Sequence, residues 1–157
     1  MKPAARIGTL ALVAALGAFA ARAQIADADR KSGAAFMGAQ TQQMQRDDGA
    51  NPAMLSALDG ESLWKAKTGG AAKSCADCHG EAQTSMKGLA ARYPAFNEAA
   101  KAPIDLQGRI NLCRQDQQKA TPLAPESRDL LALSAFIGLQ SRGMPTAPPD
   151  DPRLTPF

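Results

Sequence analysis

Four segments of the chain carry apolar residues at the spacing of an amphipathic helix, and no segment alternates apolar and polar residues as a half-buried strand does. The strongest pattern runs from Glu126 to Gln140, where Leu130, Leu133 and Ile137 form one stripe. Such a stripe needs a core to face. The pattern therefore predicts an all-α protein of about four helices and no β-strand.

A second clear helix is predicted from Asp105, its N-cap, to about Lys119. Leu106, Ile110 and Cys113 lie at positions i, i+4 and i+7, so they share one face of this helix. Because this is the apolar face, it must point inward. Cys113 is therefore predicted to point inward as well.

In the first half of the chain, the apolar pattern is less regular and predicts two further helices. Residues 32–48 form one with a weakly apolar face, and Asn51-Pro52 ends it. A short helix then begins at Gly60, carries Trp64 towards the core and stops at Gly69-Gly70.

The first 23 residues have the pattern of an export signal. Lys2 and Arg6 precede an apolar run over residues 7–20, and Ala21-Arg22-Ala23 is an A-x-A cleavage site. The run is too short for a comfortable membrane span, although an uncleaved anchor is the alternative. We therefore expect cleavage after Ala23, no membrane attachment of the mature chain, and a periplasmic location.

The sequence thus predicts three parts. Residues 1–23 are the cleaved signal, residues 24–145 form one domain, and residues 146–157 are a Pro-rich linker or tail. Five prolines fall among the last 14 residues of the chain, with no periodic apolar pattern.

The net charge of the mature chain bears on whether the partner is a nucleic acid. The signal holds three of the 18 basic residues and no acid, so 15 basic and 15 acidic residues remain after cleavage. A mature chain with no net charge gives no reason to expect nucleic-acid binding. The precursor also has only five Phe, one Trp and one Tyr, which is few for a core made of protein alone.

The chemistry of the chain centres on Cys75-Ala76-Asp77-Cys78-His79. C-x-x-C-H is the attachment signature of a c-type haem: two thiols bond to one edge of the porphyrin, and the adjacent imidazole becomes an iron ligand. A helix with a Leu-aromatic pair that leads into this motif is typical of class I cytochromes c. We therefore predict a single class I-like domain, with its helices wrapped around one covalently attached haem c.

The second iron ligand has three candidates, because His79 is the only histidine. Met86 is too near His79 in sequence to reach the opposite face of the porphyrin. Met144 precedes a proline, as in many ligand loops, but it follows the last helix instead of preceding it. Cys113 lies before that helix on an inward face, which favours a thiolate ligand and a low potential; the alternative for Cys113 is a buried free thiol.

A zinc site or a thiol redox site would use the same cysteines and histidine, but the sequence supports each of them less well than a haem. Three cysteines and one histidine could make a Cys₃His zinc site, but Cys78 and His79 are adjacent, which is awkward for two ligands of one tetrahedral ion. No βαβ pattern surrounds the C-x-x-C, as a thioredoxin-like redox motif would require. Arg109 and Arg114 flank Cys113 and could neutralise its charge or that of the haem propionates, or could simply be solvated.

Several segments together resemble the N-terminal cytochrome domain of the SoxA family, from the bacterial sulfur-oxidising (Sox) system. The resemblance extends over most of the mature chain, and the segments that carry it are Thr41–Gln45 with Asp47-Asp48, Asn51-Pro52, Gly60–Trp64, Ser74–Gly80, Ser85–Gly88, Ala91–Pro94, Gly108–Arg114 and Ser141–Pro145.

This resemblance implies a function in sulfur oxidation. It implies that the protein forms a periplasmic complex with the small cytochrome SoxX, and that this complex oxidatively joins thiosulfate to a cysteine of the carrier SoxYZ. It also implies that Cys75 and Cys78 attach the haem, and that His79 and Cys113 bind its iron. The alternative function is a stand-alone monohaem electron carrier.

Family members carry a second cytochrome domain, which is associated with catalysis. This chain is therefore expected to be a fragment or a truncated form, and no catalytic residue is assigned in it. Its haem has two alternative roles, electron relay and structural support.

Overall fold

A computed structural model describes residues 31–154, so the predicted signal peptide lies outside the described residues. The α-helices of this part are α1 (Ala39–Arg46), α2 (Ala53–Lys65), α3 (Cys75–His79), α4 (Ala82–Ser85), α5 (Leu106–Cys113) and α6 (Arg128–Leu139). A π-helical turn, Arg114–Gln118, follows α5 directly. The two strands are β1 (Ala95–Asn97) and β2 (Ala102–Ile104), and single 3-10 turns cover Gly33–Phe36, Ala90–Arg92 and Pro152–Leu154. The predicted all-α class is confirmed, with a small sheet added.

The chain divides into two compact units, Met1–Gln43 and Met44–Phe157. In the described part of the first unit, the hydroxyl of Ser32 accepts a hydrogen bond from the N–H of Ala34 at 3.2 Å and caps the first 3-10 turn. The second unit contains every residue that the sequence proposed for a site.

The core of the second unit is the packing of α2 against α6. Gly60 of α2 is buried, and a Cβ atom at this position would collide with the backbone carbonyl of Ala132 in α6. This close approach brings together the buried side chains Trp64, Ala82, Met86, Ile110, Leu130, Leu133, Phe136 and Ile137. The stripe on α6 that the sequence predicted is therefore the centre of the core.

Gly60→Ala is expected to destabilise the haem-loaded protein by about 3 kcal/mol, the upper end of the usual cost of overpacking, because a backbone carbonyl cannot rotate away. Urea unfolding measures this change. Gly138→Ala in α6 is the matched control: a Cβ there meets nothing within 4 Å, so it should stabilise by about 0.5–1 kcal/mol. Equal effects of the two substitutions would contradict the packing argument.

Helix α2 begins seven residues before Gly60, so the predicted start was wrong. The Asn51 side-chain oxygen accepts a hydrogen bond from the N–H of Ala53 at 3.0 Å. Pro52 has helical backbone angles, φ −60° and ψ −25°, and proline is tolerated in the first turn of a helix. The Asn-Pro pair therefore starts a helix here.

The predicted N-cap of α5 is confirmed. The Asp105 carboxylate accepts a hydrogen bond from the N–H of Gly108 at 2.7 Å. Regular α-helix ends at Cys113, and the π turn continues the coil to Gln118. Lys119 then leaves the coil in the left-handed conformation, with φ 53°.

The antiparallel hairpin of β1 and β2 was not predicted. Each strand is only three residues long, and Pro103 pairs with Phe96 in its centre, so the sequence has no alternating run to detect. Arg153, from the predicted tail, stacks 3.8 Å from the ring centroid of Phe96 and pairs with Glu98 at 2.9 Å. Leu154 is buried, so this part of the tail packs on the hairpin.

None of the helices between residues 31 and 154 combines the length and the hydropathy that crossing a lipid bilayer requires.

Candidate haem site

The C-x-x-C-H motif forms its own short helix, α3, whose start is fixed by residues next to and within the motif. The hydroxyl of Ser74 accepts from the N–H of Asp77 at 3.0 Å, and the Asp77 carboxylate accepts from the N–H of Ser74 at 2.8 Å. This is a capping box. Hydrogen bonding by Ser74, first through its backbone N–H and second through its side chain, lowers the pKa of Asp77. Asp77, one of the two residues between the cysteines, therefore stabilises the helical form of the motif.

His79 ends α3 beside the buried indole of Trp64. The two ring centroids are 5.8 Å apart, with planes tilted by 35°. The indole N–H of Trp64 donates to the carbonyl of Gly80 at 3.1 Å. Gly80 itself has φ 66°, a conformation that favours glycine. Trp64 thus fixes the chain just after the imidazole, and the sequence prediction that this side chain lies in the core is confirmed.

A cavity of about 470 Å³ opens next to α3. Its volume lies within the range of small-molecule and cofactor sites, roughly 300–1,000 Å³. The apolar part of its wall comes from Trp64, Met86, Leu89, Tyr93, Leu106, Ile110, Leu133 and Ile137. Its polar and sulfur-bearing part comes from Ser74, Cys75, Cys78, His79, Ser85, Arg109, Cys113, Arg114, Gln117 and Gln118. All four residues that the sequence proposed for the site therefore line one cavity.

Cys113 lies at the C-terminal end of α5 and is half-buried. Burial raises the pKa of its thiol, the guanidinium of Arg109 opposes that rise, and Asp116 and the Cys78 thiol add to it. The nearby guanidinium of Arg109 favours the thiolate, which is the form of cysteine that binds a metal.

The two methionines differ in their surroundings. Met86 is 6% exposed and lines the cavity, at the end of α4. Met144 is 39% exposed and is not among the described residues that line the cavity. Its sulfur lies over Gly88, where an added Cβ would approach it to 3.1 Å. In this structure Cys113, and not Met144, lies on the cavity with the motif.

Cys75 has a partner that the sequence did not reveal. The side-chain amide of Gln118 donates to the Cys75 sulfur at 3.7 Å. Burial raises the pKa of the Cys75 thiol, and the hydrogen bond from Gln118 opposes that rise. Gln118 does not belong to the apolar stripe of α5, so no periodic signal in the sequence marks it.

Arg109 and Arg114, the two arginines near Cys113, differ from each other in their surroundings. Both line the cavity. Arg114 donates through Nε and Nη2 to the carbonyl of Thr121, at 3.4 and 3.3 Å, so part of its guanidinium is used within the protein. Arg109 is exposed, and its charge acts on Cys113.

These residues fit a haem c. The thiols of Cys75 and Cys78 and the imidazole of His79 lie together on the wall of a largely apolar cavity, and the thiol of Cys113 lies on the same wall. Among residues 31–154, no group of three or more His, Cys, Asp or Glu side chains is placed to hold a bare metal ion, so a Cys₃His zinc set is not assembled.

The chain is similar to known cytochrome proteins. A family model described as "SoxA/TsdA, cytochrome c domain" matches residues 59–146. The L-cysteine S-thiosulfotransferase subunit SoxA of Pseudaminobacter salicylatoxidans is 40% identical over 114 residues, which are 73% of this chain and 40% of that protein. The subunit of the same name from Rhodovulum sulfidophilum is 34% identical over 117 residues, 74% of this chain and 41% of that protein.

A solved structure shares the fold. The crystal structure of SoxXA from P. pantotrophus matches with a TM-score of 0.73 and 31% sequence identity, over 80% of this chain and 47% of the chain it matches. The present chain spans about two fifths of the length of the two curated relatives.

Proposed function

Because this chain belongs to the SoxA/TsdA cytochrome c domain family, whose cofactor is covalently bound haem c, we propose that it is the N-terminal haem domain of a SoxA subunit of an L-cysteine S-thiosulfotransferase. The observation that carries the proposal is the single cavity shared by Cys75, Cys78, His79 and Cys113. The family match spans all four residues.

Each residue has a proposed role. Cys75 and Cys78 would form the two thioether bonds, and His79 and the Cys113 thiolate would bind the iron. The haem supplies one-electron redox chemistry when bound. A thiolate ligand carries negative charge, which stabilises the ferric state and sets a low potential.

The surrounding residues orient and shield this site. Trp64 holds the chain after His79 through its hydrogen bond to Gly80, and so limits how the imidazole can turn. The apolar side chains of the cavity wall would shield a bound haem from water, which strengthens electrostatic interactions inside the cavity. Arg109 is placed to offset the negative charge of the Cys113 thiolate.

The wider assignment follows from the relatives. We propose a periplasmic location, a SoxX-type cytochrome as the partner subunit, and a complex that joins thiosulfate to the carrier cysteine of SoxYZ. The export signal that the sequence predicts at residues 1–23 supports the location, and the similarity to a chain of the SoxXA structure supports the partner. In this assignment the chain relays electrons or supports the complex and holds no catalytic residue.

Co-purification tests this function. The haem-loaded chain, co-exported with an affinity-tagged SoxX-type cytochrome, is expected to elute with it at a ratio of one to one, measured by haem absorbance and mass. The same tag on an unrelated periplasmic cytochrome is the control. A haem-loaded chain that elutes alone and exchanges electrons as a monomer would instead support a stand-alone electron carrier.

A further inference from the structure

One buried polar side chain at the haem cavity has unused hydrogen-bonding capacity. Gln118 is 4% exposed and lines the cavity. Its Nε2 donates to the Cys75 sulfur at 3.7 Å. Within residues 31–154, its Oε1 is one of two buried side-chain oxygen or nitrogen atoms that lack a hydrogen-bond partner. An amide with one weak bond and one orphan atom is an unusual occupant for such a buried position.

This arrangement would be unfavourable if Gln118 only filled space. A buried amide that lacks its partners loses the hydrogen bonds it had with water, whereas a leucine of similar size would not. Ile110 and Leu133 line the same cavity, so its wall accepts aliphatic side chains. The amide therefore points to a role at the cofactor.

The backbone fixes Gln118 firmly. Its carbonyl accepts a hydrogen bond from the N–H of Ala71 at 3.1 Å, and the carbonyl of Lys119 accepts one from the N–H of Gly70 at 3.1 Å. These two bonds tie the segment just before α3 to the end of the π turn. Gly69 has φ 68°, and a Cβ there would collide with the Gln118 carbonyl. Because the backbone of Gln118 is fixed by these contacts, its side-chain amide stays next to Cys75.

The π turn gives Gln118 a second connection. It begins directly after Cys113 and ends at Gln118, five residues later. Single π turns inside helices are frequent at functional sites, because they redirect the side chains that follow. Here the turn joins the proposed thiolate ligand to the residue that contacts the attachment cysteine.

Haem attachment determines which hydrogen bond can form. When the Cys75 thiol adds to a vinyl group, a sulfur–carbon bond forms and the thiol hydrogen moves to the neighbouring vinyl carbon. No oxidant is needed. The resulting thioether sulfur has no hydrogen to donate and can only accept. The amide N–H of Gln118 is then the group that suits it.

We propose that Gln118 is a positioning residue for the haem: its amide donates to the Cys75 thioether sulfur, fixes that edge of the porphyrin and raises the midpoint potential. A donor to this sulfur withdraws electron density from the ring edge, which favours the reduced state. The proposal rests on haem attachment at Cys75 and not on the sulfur chemistry of any complex, so it can fail while the SoxA assignment stands.

Gln118→Leu and Gln118→Asn test the proposal in the haem-loaded full chain. Leucine removes the amide, and asparagine is one methylene too short to reach the sulfur. Gln115→Leu is the matched control, because Gln115 lies in the same π turn but is exposed and away from the cavity wall. Redox titration gives the midpoint potential, and far-UV circular dichroism reports the helical fold.

Both variants at position 118 are expected to lower the midpoint potential, with a threefold to tenfold fall in the equilibrium constant for reduction, about the effect of one hydrogen bond. Gln115→Leu should keep the parent value. Less covalent haem in a folded position-118 variant would also support positioning of Cys75. Unchanged potentials, or loss of the helical signal in both variants, would overturn the proposal, since the amide would then serve folding alone.

Discussion

Replacing both Cys75 and Cys78 by alanine is expected to abolish covalent haem attachment and to destabilise the second unit severely. Both thiols stand on the wall of the 470 Å³ cavity, and no other thiol lies on α3. After denaturation, the polypeptide of the double variant should show no haem absorbance and no haem mass.

The size of the destabilisation follows from the cavity. Residual cavities cost about 24 cal/mol per Å³, so a third of 470 Å³ left empty would cost about 4 kcal/mol. Single domains are stable by only about 5–15 kcal/mol in total. The double variant is therefore expected to melt well below the haem-loaded parent, as thermal circular dichroism would show.

Cys113→Ala is the matched control for attachment. It removes a thiol from the same cavity wall, but a thiol that is not proposed to bond to the porphyrin edge, so its haem should survive denaturation. A double variant that still carries covalent haem would refute the assignment of Cys75 and Cys78. A double variant with an unchanged melting temperature would refute the role of the haem in the core.

The sequence was most informative where residue type and spacing specify chemistry directly. The five residues from Cys75 to His79 predict the cofactor without any knowledge of the fold, because attachment needs two thiols and an imidazole in that order. The helical period of α5 similarly predicts that Cys113 faces inward, and Cys113 does line the cavity with the motif. Periodicity also located α6, the strongest stripe in the chain.

Other features depend on contacts between distant residues. Gln118 becomes a haem-cavity residue only because the π turn rotates it out of the α5 period and because residues 70 and 71 bind the backbone at its end. The hairpin of β1 and β2 is too short to produce a pattern. Asn51-Pro52 lies after the end of α1, as predicted, but it also begins α2, and the sequence pattern placed the start of that helix only at Gly60.

Cys113→Met is expected to raise the midpoint potential of the haem by about 0.1 V or more, within the ~0.8 V range that axial ligands span. A thioether is a neutral ligand, so it stabilises the ferric state less than a thiolate does. Methionine is long and flexible enough to keep its sulfur in the cavity. Redox titration measures the shift, and the visible spectrum should change with the ligand.

Cys113→Ala extends the same test by removing the sulfur altogether. The iron should then lose its proposed second protein ligand and bind added imidazole, which the parent protein should resist. Met144→Leu is the control, because Met144 is 39% exposed beside Gly88 and lies away from the cavity wall. A parent-like spectrum in both Cys113 variants, together with a changed spectrum in Met144→Leu, would assign the ligand to Met144 and require the segment after α6 to move onto the haem.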